Sequence, residues 1–200
     1  MIKNVIFDFG QVLVHFEPEY MVRQYVTDEA DIRLLSEVLF DRLYWDRLDL
    51  GTITGEETIE LSCKRLPQRL WDYAEKIYWN WIYNIPEVEG MKDLMKHLKE
   101  RHGMGVFVLS NISHYFADHA HEIDILNYSD GNVFSARIGI TKPDHRIFDY
   151  MCKKFGLNPK ETIFVDDSEK NIRAAREFGL NGYLFDGNSQ KLREYLDKII

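Results

Sequence analysis

The stretch Asn4 to His15, NVIFDFGQVLVH, decides how the remainder of the chain is read. Val5, Ile6 and Phe7 are β-formers in an apolar run with no polar alternation, the pattern of a strand buried on both faces. Asp8 falls at the carboxyl end of that run and leads into a turn containing Gly10. Taken alone, the stretch leaves two readings open. Asp8 caps the turn through its side chain, as aspartate often does after strands, or it is a carboxylate delivered to a reaction site.

Beyond Val14 the periodicity changes. From Glu17 to Ile85 apolar residues recur at helical spacing, as in Met21 and Tyr25 and then Ile32, Leu35, Val38 and Leu39. Thr27 and Thr54, each followed by acids, are expected helix starts, because carboxylates in a first turn complement the helix macrodipole. Pro67 is expected to open one long helix through Trp71, Ile77, Trp81 and Ile85. Trp45, Trp71, Trp79 and Trp81 all fall in this segment and read first as packing between helices.

After Pro86–Gly90, strand and helix patterns alternate. Met91 to Arg101 reads as an amphipathic helix stopped by Gly103, Val106 to Leu109 as a second buried strand, and Ala136 to Ile140 as a weaker one. Asp144 to Phe155 reads as a helix ended by Gly156. Thr162 to Val165 is a third strong strand, followed by a helix through Ile172, Ala175 and Phe178 and a last strand from Gly182 to Phe185. Such alternation predicts an α/β fold, a parallel sheet with helices on both faces. A parallel crossover needs only a dozen or so residues, so the long helical segment after the first strand is an insertion.

A chain of 200 residues with 45% hydrophobic content supports one domain, or one domain with a sizeable insertion. The net charge of −8, with Lys and Arg spread along the length, excludes the basic stripe of a nucleic-acid surface. No apolar run approaches the ~20 residues that cross a bilayer, and the first strand and turn take the place of a signal peptide. Cys63 and Cys152 form no C-x-x-C pair and read as reduced packing residues, so a cytoplasmic location is expected.

Ligands of open α/β sheets bind outside the carboxyl ends of the strands. At those ends the sequence puts Asp8, Ser110-Asn111, Lys142 and Asp166-Asp167. Three carboxylates at one edge repel unless a hard cation sits among them, and oxygen ligands suit Mg²⁺. Lys142 and the Ser110 hydroxyl add a positive charge and a donor suited to phosphate oxygens. A carboxylate among such neighbours can attack phosphorus and become a transient acyl phosphate.

Four segments, FDFGQV, VLSN, ITKPD and IFVDDSEKN, resemble the four motifs of the haloacid dehalogenase superfamily, in their usual order and over nearly the whole chain. The resemblance is greatest to small bacterial sugar-phosphate (glucose-1-phosphate type) phosphatases and to the phosphatase domain of soluble epoxide hydrolase. It implies a Rossmann-like catalytic core of residues 1–16 and 86–200 and a helical cap of residues 17–85, hinged near Phe16–Pro18 and Pro86–Gly90. It also implies that Asp8 is the nucleophile, that Ser110 and Asn111 bind the phosphoryl group, and that Lys142 pairs with both. Asp8, the Gly10 carbonyl and Asp167 would hold Mg²⁺, supported by Asp166 and Asn171. Gly10 departs from the superfamily's phosphatases, which usually carry there the aspartate that protonates the leaving group, a contribution of ~10² to 10⁴ in rate. Gln11 and His15 are candidates to position a water instead. A dehalogenase would resemble its relatives in a tyrosine-containing first motif, which Gly10-Gln11-Val12 does not offer.

The expected activity is Mg²⁺-dependent hydrolysis of a small phosphorylated metabolite, a sugar phosphate, through an aspartyl phosphate. A phosphate-binding regulatory protein without turnover and a phosphotransferase between sugars are the alternatives. Specificity is expected to come from the cap, where Arg42, Trp45 and Arg47 are candidates. His114, Asp118 and His121 share a helical spacing that could hold a transition metal, although solvated surface is the simpler reading.

Overall fold

The strand read at Val5–Phe7 is β1 (Asn4–Phe7), the central strand of a five-stranded, all-parallel sheet. A computed structural model describes residues 1–200. After β1 come α1 (Pro18–Arg23), α2 (Glu29–Leu39), α3 (Arg42–Leu50), α4 (Gly55–Cys63), α5 (Trp71–Asn80) and α6 (Met91–His102). The chain continues through β2 (Gly105–Ser110), α7 (His114–His119), β3 (Gly131–Phe134), α8 (Ser135–Ile138) and α9 (His145–Phe155). It ends with β4 (Thr162–Asp166), α10 (Glu169–Phe178), β5 (Asn181–Leu184) and α11 (Ser189–Leu196).

The strand order is β3-β2-β1-β4-β5, so the winding reverses at β1 and a crevice opens beyond its carboxyl end. Phe7 pairs with Val108 on one side and Val165 on the other, which brings the ends of β1, β2 and β4 level. Val5, Phe7, Val106, Val108, Ile163 and Val165 feed one apolar cluster, while Ile6, Phe107, Leu109 and Phe164 feed a second on the opposite face. Burial on both faces is why these strands carry no polar alternation.

The helices between β1 and α6 have an apolar cluster of their own, including Val22, Ile32, Leu35, Leu70 and Ile77. They join the sheet through two adjacent strands of chain. His15 N–H donates to the Pro86 carbonyl at 2.8 Å and Val88 N–H to the Leu13 carbonyl at 2.9 Å, around an antiparallel bridge between Val14 and Glu87. Cys63 and Cys152 are both free thiols. No helix is long and apolar enough to cross a membrane.

Three local expectations are corrected. Residues 136–140 are not a strand: β3 precedes them, in register with Phe107–Ser110, and the chain turns helical at Ser135. There the Ser135 hydroxyl accepts the Ile112 N–H at 2.9 Å, ending the pairing, and Ala136, Ile138 and Ile140 only mimic strand alternation. The cap of α2 is Asp28 rather than Thr27, its carboxylate accepting the Ala30 and Asp31 N–H groups at 3.0 Å. Thr54 does cap α4, in a reciprocal capping box with Glu57. Pro67 opens only a 3₁₀ turn, Gln68–Leu70, and the expected single helix is divided into that turn, α5 and a second 3₁₀ turn, Trp81–Tyr83.

Helix α3 packs against α8, just beyond β3. It ends at Gly51, in the left-handed region with φ of 75°, where a Cβ would lie 2.7 Å from the Ala136 carbonyl oxygen. The Ser135 hydroxyl donates to the Asp49 carbonyl from the same side. Gly51→Ala is therefore expected to lose about 1–2 kcal/mol from the backbone conformation alone, with the clash adding to it. Urea unfolding checks this, and a loss no larger than the backbone cost would mean that α3 is not seated against α8.

Candidate active site at the carboxyl edge of the sheet

Asp8 stands immediately beyond β1, its N–H held by the Val165 carbonyl at 2.8 Å. Its Oδ1 accepts the Phe9 N–H at 2.7 Å and lies 2.7 Å from Lys142 Nζ, while Oδ2 accepts no hydrogen bond. Lys142 Nζ lies 2.8 Å from Asp166 Oδ2 and donates to the Leu109 carbonyl at 3.1 Å. Burial opposes the ammonium charge, but Asp166 and Asp8 outweigh it and hold Lys142 above its usual range. Burial also pushes the Asp8 carboxyl up, against the pull of Lys142 and with the help of Asp166.

Asp166 ends β4 and is fully buried. It is satisfied on all sides, by Lys142, by the Ser168 N–H at 2.8 Å and by Asn171 Nδ2 at 3.0 and 3.1 Å. Ser110 ends β2 with its hydroxyl nearly uncommitted, 3.5 Å from the Asn111 carbonyl oxygen. The Asn111 side chain does not reach into open space. Its Oδ1 accepts the Lys142 N–H at 2.7 Å and its Nδ2 donates to the Lys142 carbonyl at 3.0 Å, so it positions the lysine. Its own N–H has no protein acceptor and is the group it can offer a ligand.

Asp8, Gly10, Ser110, Asn111, Lys142 and Asn171 line one cavity of about 440 Å³, large enough for a small metabolite. Phe16, Arg42, Trp45, Asp49 and Trp81 complete it from the side of the insertion. Arg47, a sequence candidate, does not reach it. Trp45 and Trp81 also serve as packing residues, edge to face at 5.3 Å and each in contact with Phe16. Sequence reasoning missed Asp49, yet a signal existed. Tyr44, Trp45, Leu48 and Asp49 form the buried face of α3, so an acid occupies an apolar position.

Two other candidates resolve differently. Gln11, in the left-handed region with φ of 59°, lines the cavity but donates its amide to the Phe16 carbonyl at 2.9 Å; His15 lies outside it. His114, Asp118 and His121 do not assemble. Asp118 pairs with Arg137, which also approaches His114, and His121 turns toward Glu122.

The donor set fits Mg²⁺. One oxygen from each of Asp8, Asp166 and Asp167 lies within 4.8 Å of the others, and of the three only Asp8 and Asp166 pair with the Lys142 ammonium. Asn171 Oδ1 is buried beside them with no partner, and the Gly10 carbonyl accepts no hydrogen bond. Burial and the neighbouring Asp166 push Asp167 upward, as expected where a cation's charge is called for. Because Asp166 is already saturated, Asp8, Asp167 and the Gly10 carbonyl are the groups free to coordinate.

A family model described as haloacid dehalogenase-like hydrolase matches residues 2–179. Among curated relatives, D-ribitol-5-phosphate phosphatase of Bacteroides thetaiotaomicron is 27% identical over 92% of this chain and 91% of its own. Phosphoglycolate phosphatase of Pasteurella multocida is 26% identical over 81% of this chain and 67% of its own. Among solved structures, a haloacid dehalogenase family enzyme of B. thetaiotaomicron, in complex with magnesium and inorganic phosphate, superposes with a TM-score of 0.70. It is 23% identical and covers 94% of this chain and 96% of its own. L-2-haloacid dehalogenase of Xanthobacter autotrophicus gives a TM-score of 0.66 at 18% identity, covering 98% of this chain and 83% of its own, so fold alone does not choose a reaction.

Mg²⁺ at ~100 times its Kd is expected to add about 2.7 kcal/mol to the unfolding free energy, read as a rise in Tm. Asp167→Asn should remove most of that rise, and a rise that survived the substitution would put the cation elsewhere.

Proposed function

Because this chain belongs to the haloacid dehalogenase-like hydrolases, we propose that it is a Mg²⁺-dependent phosphatase acting on a small polyhydroxylated phosphomonoester, a sugar or sugar-alcohol phosphate. The observation that carries the reading is Asp8 Oδ2, free of hydrogen bonds in a cavity shared with the Lys142 ammonium and the Ser110 hydroxyl. The naming of two curated relatives as phosphatases of small phosphorylated metabolites supports the same reaction class.

In this reading Asp8 is the nucleophile. Lys142 holds Oδ1 and so directs Oδ2 toward phosphorus, while its own charge lies beside the incoming phosphoryl oxygens. The Ser110 hydroxyl and the Asn111 N–H donate to those oxygens, and Asn111 keeps Lys142 in place through its two backbone contacts. Asp8, the Gly10 carbonyl and Asp167 would hold Mg²⁺, which when bound would supply positive charge against the phosphoryl oxygens. Attack by Asp8 forms an aspartyl phosphate, which water then cleaves to return the carboxylate.

Residues 17–85 act as a cap over this site, joined to the core by the paired segments at Leu13–His15 and Pro86–Val88. Phe16, Trp45 and Trp81 lie over the cavity and keep bulk water from the acyl phosphate. Substrate hydroxyls meet Arg42, whose guanidinium already pairs with Asp46 and is otherwise exposed.

Asp8→Asn should lower phosphate release from p-nitrophenyl phosphate and from sugar phosphates by more than about 10³-fold while the far-UV circular dichroism stays unchanged. A variant as active as the parent would remove Asp8 from the chemistry.

A further inference from the structure

We propose that Asp49, on helix α3, is the group that protonates the leaving-group oxygen and later takes the proton of the attacking water. The proposal rests on the phosphatase reading above and names the acid and base that reading lacks.

An alkoxide is a poor leaving group, so an alkyl phosphate needs a proton delivered to the bridging oxygen as the P–O bond breaks. Lysine and arginine hold their protons too firmly for this, and Gln11 is tied to Phe16. Asp8 is the nucleophile. Among the residues lining the cavity, the one remaining carboxylic acid is Asp49.

Its surroundings suit the task. Asp49 is 7% exposed, yet its carboxylate accepts no hydrogen bond and makes no ion pair, unlike Asp166, the other buried acid. A carboxyl left unpaired in a buried position is costly to ionise. Burial pushes it up to about 7, opposed by Arg42 from its own helix and Lys142 from the sheet edge and reinforced by Asp46. His114, on α7, is the further titratable group packed at this end of α3, with Nε2 at 2.7 Å from a Cβ on Gly51. The backbone is fixed as well. The Ser135 hydroxyl donates to the Asp49 carbonyl, and Gly51 abuts the Ala136 carbonyl, so the acid is anchored to the core although the insertion carries it.

The proton balance closes. In the first step the Asp8 Oδ2–P bond forms, the P–O bond to the alcohol breaks with its electron pair on oxygen, and that oxygen takes the Asp49 proton. In the second, water adds to phosphorus, the Asp8–P bond breaks back to a carboxylate, and the water proton restores neutral Asp49. Gly10 offers an independent handle. A Cβ there would meet nothing nearer than the Phe16 Cβ at 4.0 Å, so a carboxylate can be installed beside the same cavity without displacing the backbone.

The test compares two leaving groups in the wild type and Asp49→Asn, measuring alcohol release in the first turnover with Mg²⁺ present. With glycerol phosphate, whose alkoxide needs the proton, Asp49→Asn should be about 10²- to 10⁴-fold slower. With p-nitrophenyl phosphate, whose phenolate leaves unaided, the loss should stay below about tenfold. The wild-type rate on glycerol phosphate should fall as pH rises through about 7, and the residual rate of the variant should lack that limb. Adding Gly10→Asp to Asp49→Asn should restore at least about tenfold on glycerol phosphate. Folding has its own readout. A carboxyl raised in the folded state costs stability once the unfolded chain has ionised, so wild-type Tm should fall relative to Asp49→Asn as pH rises from about 4 to about 7 and then level off. Equal losses on both substrates, or no loss on either, would overturn the role of Asp49 while leaving the phosphatase intact. A wild type that releases phosphate from neither substrate would instead sink the phosphatase reading, and this proposal with it.

Discussion

The Lys142 ammonium, enclosed between Asp8 and Asp166 with 1% of its side chain exposed, is the interaction on which the site depends. Taking these charges out of water is expensive, and removing one member of such a group leaves a buried charge uncompensated, at about 3–5 kcal/mol. The arrangement holds because three strands end level. Asp8 follows β1, Leu109 and Ser110 close β2, and Asp166 closes β4, so the lysine needs only one loop to reach all of them. Asn111 fixes that loop by its backbone, and Asn171 and the Ser168 N–H fix Asp166. What the cluster leaves free is chemically informative: one oxygen of Asp8, one hydroxyl, one backbone N–H, and carboxylate oxygens in excess of cations.

The second constraint couples the helical insertion to this edge. Phe16 leaves the sheet and packs against Phe40, Trp45 and Trp81, so the first residue of the crossing is already part of the aromatic roof of the cavity. Helix α3 meets the core through Gly51 and the Asp49 carbonyl, at the turn where β3 becomes α8. The roof and its acid are thereby positioned relative to Asp8 by backbone contacts, not by long flexible side chains. A proton donor and a nucleophile carried by different segments can meet reproducibly only under such a restraint.

Much of this is legible in the sequence because buried parallel strands leave a plain trace. Uninterrupted β-branched and aromatic runs such as Val5–Phe7 and Ile163–Val165 fit a strand covered on both faces and little else, and each hands one polar residue to the same edge. The family resemblance and the sheet edge select the same residues, Asp8, Ser110, Lys142 and Asp166-Asp167. What escapes a reading of the sequence is tertiary in origin. Residues 136–140 alternate like a strand, but the preceding Gly131–Phe134 pairs with β2 and Ser135 diverts the chain. That the Asn111 side chain is engaged by Lys142, leaving its N–H as the group to offer a ligand, depends on a contact between residues far apart in the chain. Asp49 is easily passed over because a single acid in a helix is usually solvated. Its place beside Trp45 and Leu48 on the buried face carries the contrary signal.

The central claim is that phosphoryl transfer passes through Asp8. The stereochemical course at phosphorus tests it most directly, using a thiophosphate monoester made chiral with oxygen isotopes and hydrolysed in isotopically labelled water. Two successive in-line displacements, first by Asp8 and then by water, predict retention of configuration in the released thiophosphate. Inversion would mean a single direct attack by water and would contradict the account, whatever the rate.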